Sequence, residues 1–180
     1  MIEQTPWFNR KFPPIEDNGL LPVIIERLEG TPARLEQKLK QYDPQEFSQS
    51  INGKWSINEE IGHLYDLEGL WLGRIHDILD GKEEMRPADL QNTKTKEAHH
   101  NDTQSRHLVS LFTDERIKLV NTLRCLEEKD LLKNALHPRL QIPMRIIDLA
   151  FFVAEHDDHH LSRMSRIHAS LLPKQEPVSD

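Results

Sequence analysis

Apolar residues recur along this chain at helical spacing in four long stretches, and few segments alternate as strands do. In the first stretch Ile24, Leu28, Leu35, Leu39 and Tyr42 keep one phase across Gly30-Thr31-Pro32. Thr31-Pro32 has the form of a cap and first position of a new helix. The unbroken phase instead predicts one helix bent near Pro32, whose ring crowds the carbonyl of Leu28. The second stretch starts at Ser56, with Glu59 three residues later as in a capping box. Ile57, Ile61, Leu64, Leu67, Trp71, Ile75 and Ile78 form its apolar face, and Gly81 stops it after Asp80.

The third stretch runs from about Thr103 to Leu126, with Leu108, Leu111, Phe112, Leu119, Leu123 and Leu126 inward. The fourth is predicted to begin near Pro143 and to end at Leu172, before Pro173. Its inward stripe is Ile146, Ala150, Val153, His156, His160, Met164, Ile167 and Leu171. Four such helices predict an all-α fold, a four-helix bundle. The polar connection Gly81 to Asp102 has 22 residues. It can span roughly 70 Å, whereas a helix of the second stretch's length is only about 37 Å long. The second and third helices are therefore expected to be parallel, in an up-down-down-up order. One domain over residues 1–180 is expected, with an irregular arm at 1–18 and a frayed tail at 174–180.

The candidate chemistry sits in the fourth helix, at Glu155-His156-Asp157-Asp158-His159-His160. His156 and His160 are four residues apart, so both lie on one helical face. His63 sits at the edge of the apolar face of the second helix. Three histidines without another protein ligand leave a coordination position open, as a catalytic metal needs. Imidazole suits zinc, nickel or iron better than calcium or magnesium. A pair of buried, hydrogen-bonded histidines is the competing reading of His156 and His160. His159 is turned about 100° from His160 and is expected to be exposed. His76, His99, His100, His107, His137 and His168 lack partners at ligand spacing and are assigned surface or loop roles. Glu59, Glu60, Glu155 and Asp157 are the carboxylates nearest the histidines, with Glu60 and Asp157 closest to the inner face. Each is a candidate base or a candidate partner orienting an imidazole. Gly62, Gly69 and Gly73 line one side of the second helix, where tight helix packing is the expectation. Trp55 is expected to belong to the core.

Thirty acidic against 23 basic residues give a net charge of −7, which argues against a nucleic-acid surface. The single cysteine, Cys125, excludes a disulfide framework and suggests a reducing compartment. No signal-peptide core or bilayer-length apolar run is visible, so a cytoplasmic protein without membrane partners is expected.

The N-terminal Pro6-Trp7-Phe8-Asn9-Arg10-Lys11-Phe12, Gly30-Thr31-Pro32-Ala33-Arg34-Leu35, the segment from Trp55 to Leu64 and the Glu155–His160 run resemble DinB-like (YfiT-like) proteins. The resemblance extends from Pro6 to about Leu172. It implies a four-helix bundle, often a homodimer, with a divalent metal on His63, His156 and His160. It also implies a small-molecule substrate and two enzymatic readings. One is a thiol S-transferase using a low-molecular-weight thiol; the other is a metal-dependent hydrolase. A non-catalytic, metal-binding stress-induced bundle is the third.

Overall fold

A computed structural model of the chain describes residues 2–172; the expected frayed tail lies outside them. Helices α1 (Leu21–Glu29), α2 (Thr31–Gln41), α3 (Ile57–Leu79), α5 (Ser105–Arg124) and α6 (Ile146–Leu171) form the bundle, and the short α4 (Thr93–Glu97) lies in the long connection. The chain belongs to the all-α class, with one two-stranded ribbon attached. The first apolar stretch is divided into α1 and α2 by Gly30 alone. Gly30 keeps right-handed helical torsions. Ile24, Leu28, Leu35 and Tyr42 are buried on both sides of the break.

Side-chain pairs set the helix directions. Asn58 at the start of α3 accepts a hydrogen bond from Ser105 at the start of α5, and Glu68 further along meets Arg116 further along. These two helices run the same way. Glu60 near the start of α3 meets His160 late in α6, whereas Trp71 meets Phe152 early in α6, so those two are opposed. Arg27 in α1 reaches Glu155, and Tyr42 after α2 stacks on His168 at 4.0 Å, so this arm follows α6.

The capping box at Ser56 is present: Ser56 Oγ accepts from the Glu59 N–H, and Glu59 accepts from the Ser56 N–H at 2.7 Å. The predicted start of the last helix at Pro143 is wrong. Pro143 belongs to β2 (Pro143–Arg145), antiparallel to β1 (Asn134–Leu136), with Ala135 opposite Met144. Burying Ala135 and Met144 anchors the ribbon to the core. The helix begins only where Asp148 accepts the Arg145 N–H, at 2.9 Å, and supplies a cap.

The connection Gly81–Asp102 is more than a polar crossover. It buries Met85, Thr95 and His100, and it adds a single bridge between Glu84 and Leu136. Two of the three glycines of α3, Gly62 and Gly73, make room for this segment and not for a neighbouring helix. A Cβ on Gly62 would stand 2.2 Å from the His100 ring, and one on Gly73 would stand 2.1 Å from Arg86 Nη1. At Gly69 nothing lies within 4 Å.

Buried among the helices is an ion network. Arg116 is held in bidentate fashion by Glu68, at 2.9 and 2.7 Å, and also by Asp157 and the Leu28 carbonyl. Such a group is tolerable in a core because every charge has an opposite partner.

Candidate metal centre

His63, His156 and His160 are all buried, and they offer nitrogens that lie within 4.8 Å of one another. α3 carries the first, α6 the other two. His156 and His160 superimpose because one helical turn separates them, and their Nε2 atoms are 3.1 Å apart. Two nitrogens on one tetrahedral zinc, bonded at about 2.0–2.1 Å, are roughly 3.3 Å apart. The donor set therefore fits a single divalent ion.

The outer nitrogens of two of the rings are tied. His160 Nδ1 donates to Glu60 Oε2, and Arg163 Nε lies 2.7 Å from the other oxygen of Glu60. His63 Nδ1 lies 3.1 Å from Thr95 Oγ1, and that hydroxyl donates to Asp66 Oδ2 at 2.9 Å. Since the threonine proton goes to Asp66, its lone pair accepts from His63, and the tautomer leaves His63 Nε2 with a free lone pair. His100 Nε2 also bonds Asp66, at 2.9 Å. These carboxylate and hydroxyl partners are the kind that orient ligating imidazoles. His156 Nδ1 is buried without a partner among the described residues.

Burial above all keeps the rings neutral, which is their ligating form. It pushes His63 down to about 2 with help from His160, and His160 down to about 3 with help from Arg163. His156 is lowered well below its ordinary value for the same first reason. Burial also raises the Glu60 carboxyl to about 7, against the pull of Arg163.

The histidines form part of the wall of a cavity of about 330 Å³. Trp7, Trp55, Leu67, Trp71 and Phe152 supply apolar walls, and Arg74, Arg139 and Arg163 supply positive charge. Trp55 is thus a pocket wall, 4.7 Å from His63 ring to ring, and not a core residue.

The expectations for His159, His100 and His137 fail here for one reason, the packing of connecting segments. His159 is buried, not exposed, because the N-terminal arm folds across it. Trp7 lies 5.6 Å from its ring, and Gln4 donates to its carbonyl. His100 and His137 are buried as well, although both lie in connections. Asp157 faces away from the histidines into the Arg116 network, with Thr31 donating to it at 2.8 Å. Glu155 pairs with Arg10 and Arg27, and Glu59 is spent on the cap. Of the carboxylates proposed, only Glu60 touches the centre. Asp66, Thr95, Trp7 and Arg163 belong to the site without having been expected there; for Asp66 and Arg163 a spacing of three residues from His63 and His160 is a usable signal.

This fold and these residues define a helical bundle with a buried three-histidine cluster able to hold a metal ion. The DinB superfamily model matches residues 27–164, and the chain belongs to that family. No curated protein matches the sequence. Among solved structures, YfiT from Bacillus subtilis, described as a probable metal-dependent hydrolase with an unusual four-helix bundle topology, superimposes with a TM-score of 0.77 at 18% identity, over 91% of this chain and 95% of that one. A mycothiol-dependent maleylpyruvate isomerase gives a TM-score of 0.64 at 13% identity, over 89% of this chain and 63% of that one. A Streptococcus pneumoniae protein gives 0.60 at 10% identity, over 91% and 94%. At these identities the likeness concerns the fold. No helix among the described residues is long and apolar enough to cross a membrane.

Proposed function

We propose that the chain is a metal-dependent enzyme in which His63, His156 and His160 hold a divalent ion, zinc or nickel before iron, and that it transfers a low-molecular-weight thiol to a small electrophile. The observation that carries this reading is the convergence of three neutral imidazoles on one wall of an apolar cavity. Bound there, the ion would supply a Lewis acid able to lower the pKa of a thiol, or of water in the hydrolase reading.

Thiol transfer is favoured over hydrolysis by the carboxylates. A hydrolase needs a base for its water. Glu60 is engaged by His160 and Arg163, and Asp157 is turned into the Arg116 network. Asp89, on the cavity wall, accepts the N–H groups of Gln91 and Thr93. Neither Glu60 nor Asp157 lines the cavity, and Asp89, which does, is spent on backbone N–H groups. In thiol transfer the sulfur forms a bond to an electrophilic carbon, the leaving group departs with its electron pair, and the thiol proton passes to solvent. The tryptophans and Phe152 give the electrophile apolar walls to rest on, and Glu60 and Thr95 hold the rings in place.

Metal analysis of the purified protein, with a thiol-conjugation assay before and after chelation, tests the reading. His156→Ala and His160→Ala should lose the ion and remain folded, while His159→Ala keeps it. Full metal occupancy in His160→Ala would end the assignment.

A further inference from the structure

On another part of the same cavity wall, Arg74, Arg139, His137 and Trp71 each present an N–H group that meets no acceptor among the described residues. Arg74 is 2% exposed, yet forms no ion pair among the described residues. Its Nε donates to the Arg86 carbonyl at 3.0 Å. Its nearest carboxylate on α3, Asp77, is taken by Arg86 and Lys82. His137 stands 3.1 Å from Arg74 Nη1, but the ring is not a true acceptor there. Its Nδ1 receives two backbone N–H groups, of Arg139 and Leu140, each at 3.2 Å. Nδ1 must therefore carry the lone pair, and Nε2 carries the hydrogen. A donor faces a donor. Arg139 Nη2 and Trp71 Nε1 are likewise buried with no partner among the described residues.

A buried guanidinium without an ion pair and orphan buried donors are costly, and an anion seated among these four side chains would relieve that cost. We propose that this part of the cavity is a carboxylate site, with Arg74, Arg139, His137 Nε2–H and Trp71 Nε1–H receiving the acid group of the small molecule. The inference rests on the thiol-transfer reading for what lies at the histidine centre. The Arg74 guanidinium is 5.4 Å from the Trp71 ring, and that ring is 5.4 Å from the His156 ring. Charge pole and histidine centre are thus no more than about 11 Å apart, so one molecule can reach both. Burial lowers Arg74 to about 10, which still leaves it cationic at neutral pH. His137, pushed to about 4 by burial and Arg74, stays neutral and keeps its donor.

The three tryptophans of the chain all line the cavity, so their fluorescence reports occupancy. Metal-free full-length protein titrated with octanoate should bind at least tenfold tighter than with the isosteric octanamide. Arg139→Gln, at a half-buried side chain, should abolish that preference, as should Arg74→Gln if it folds. His63→Ala should preserve it. On cobalt-loaded protein, mercaptooctanoate that changes the cobalt spectrum in an Arg139-dependent way places the carboxylate on the thiol. Octanoate that binds beside an unperturbed thiol–cobalt spectrum places it on the acceptor. Equal affinity for octanoate and octanamide, an unchanged preference in Arg139→Gln, or tighter binding of inorganic phosphate would overturn the proposal. Octanoate binding by a protein that takes up no metal would instead refute only the metal reading.

Discussion

Glu60 and His160 are joined across the bundle: the carboxylate at the start of α3 accepts the Nδ1 hydrogen of the imidazole late in α6. That contact fixes both the tautomer and the tilt of His160, and so aims Nε2 at His156 and His63. Glu60→Gln keeps the size but weakens the acceptor. It should reduce metal affinity by about 10–100-fold, read by competition with a chromophoric chelator, with secondary structure intact. Unchanged affinity would show that Glu60 does not orient the ring.

Asp157 separates a structural from a catalytic carboxylate. Its partner Arg116 is fully buried between it and Glu68. Arg116→Ala leaves two acidic groups facing each other in the core and should cost about 3–5 kcal/mol in urea unfolding. Asp157→Asn should destabilise in the same assay and leave metal affinity untouched. A loss of metal without a loss of stability would return Asp157 to the site.

Two glycines on one helix should respond in opposite senses to alanine. Gly62→Ala drives a methyl into the His100 ring. It should destabilise by about 1–3 kcal/mol and weaken metal binding, because His100 and Thr95 share Asp66 beneath His63. Gly69→Ala meets nothing and should stabilise by up to about 1 kcal/mol. Thermal unfolding of both variants decides it, and equal shifts would refute the contrast.

Metal-free protein should lose stability on mild acidification. His137 and His159 are each lowered to about 4, chiefly by burial, while the unfolded chain takes its proton near 6.5. Between those values the unfolded state binds more protons, so stability falls as pH falls from 6.5 toward 4. Each such group contributes up to about 1.4 kcal/mol per pH unit. Urea unfolding at successive pH values should show the slope, and His137→Gln should flatten it. A constant unfolding free energy between pH 7 and 5 contradicts the burial of neutral imidazoles.

Local chemistry is what the sequence determined. Helical periodicity, the Ser56 capping box and the His156–His160 spacing depend on residues within a few positions of each other, and each is present in the structure. The apolar faces of α3 and α5 were legible for the same reason, since a helix repeats every few residues. What tertiary structure decided lies in the segments without periodicity. The N-terminal arm buries His159 and supplies Trp7 to the cavity. The Gly81–Asp102 connection brings Thr95 to His63 and His100 to Asp66, and the β1–β2 ribbon brings His137 and Arg139 to Arg74. No pattern in one dimension encodes those meetings, because loop side chains are placed by the surface they fold against. The histidine triad and its partner Glu60 could be read from two helices, but Thr95, and the groups that meet Arg74, come from chain that only folding brings near.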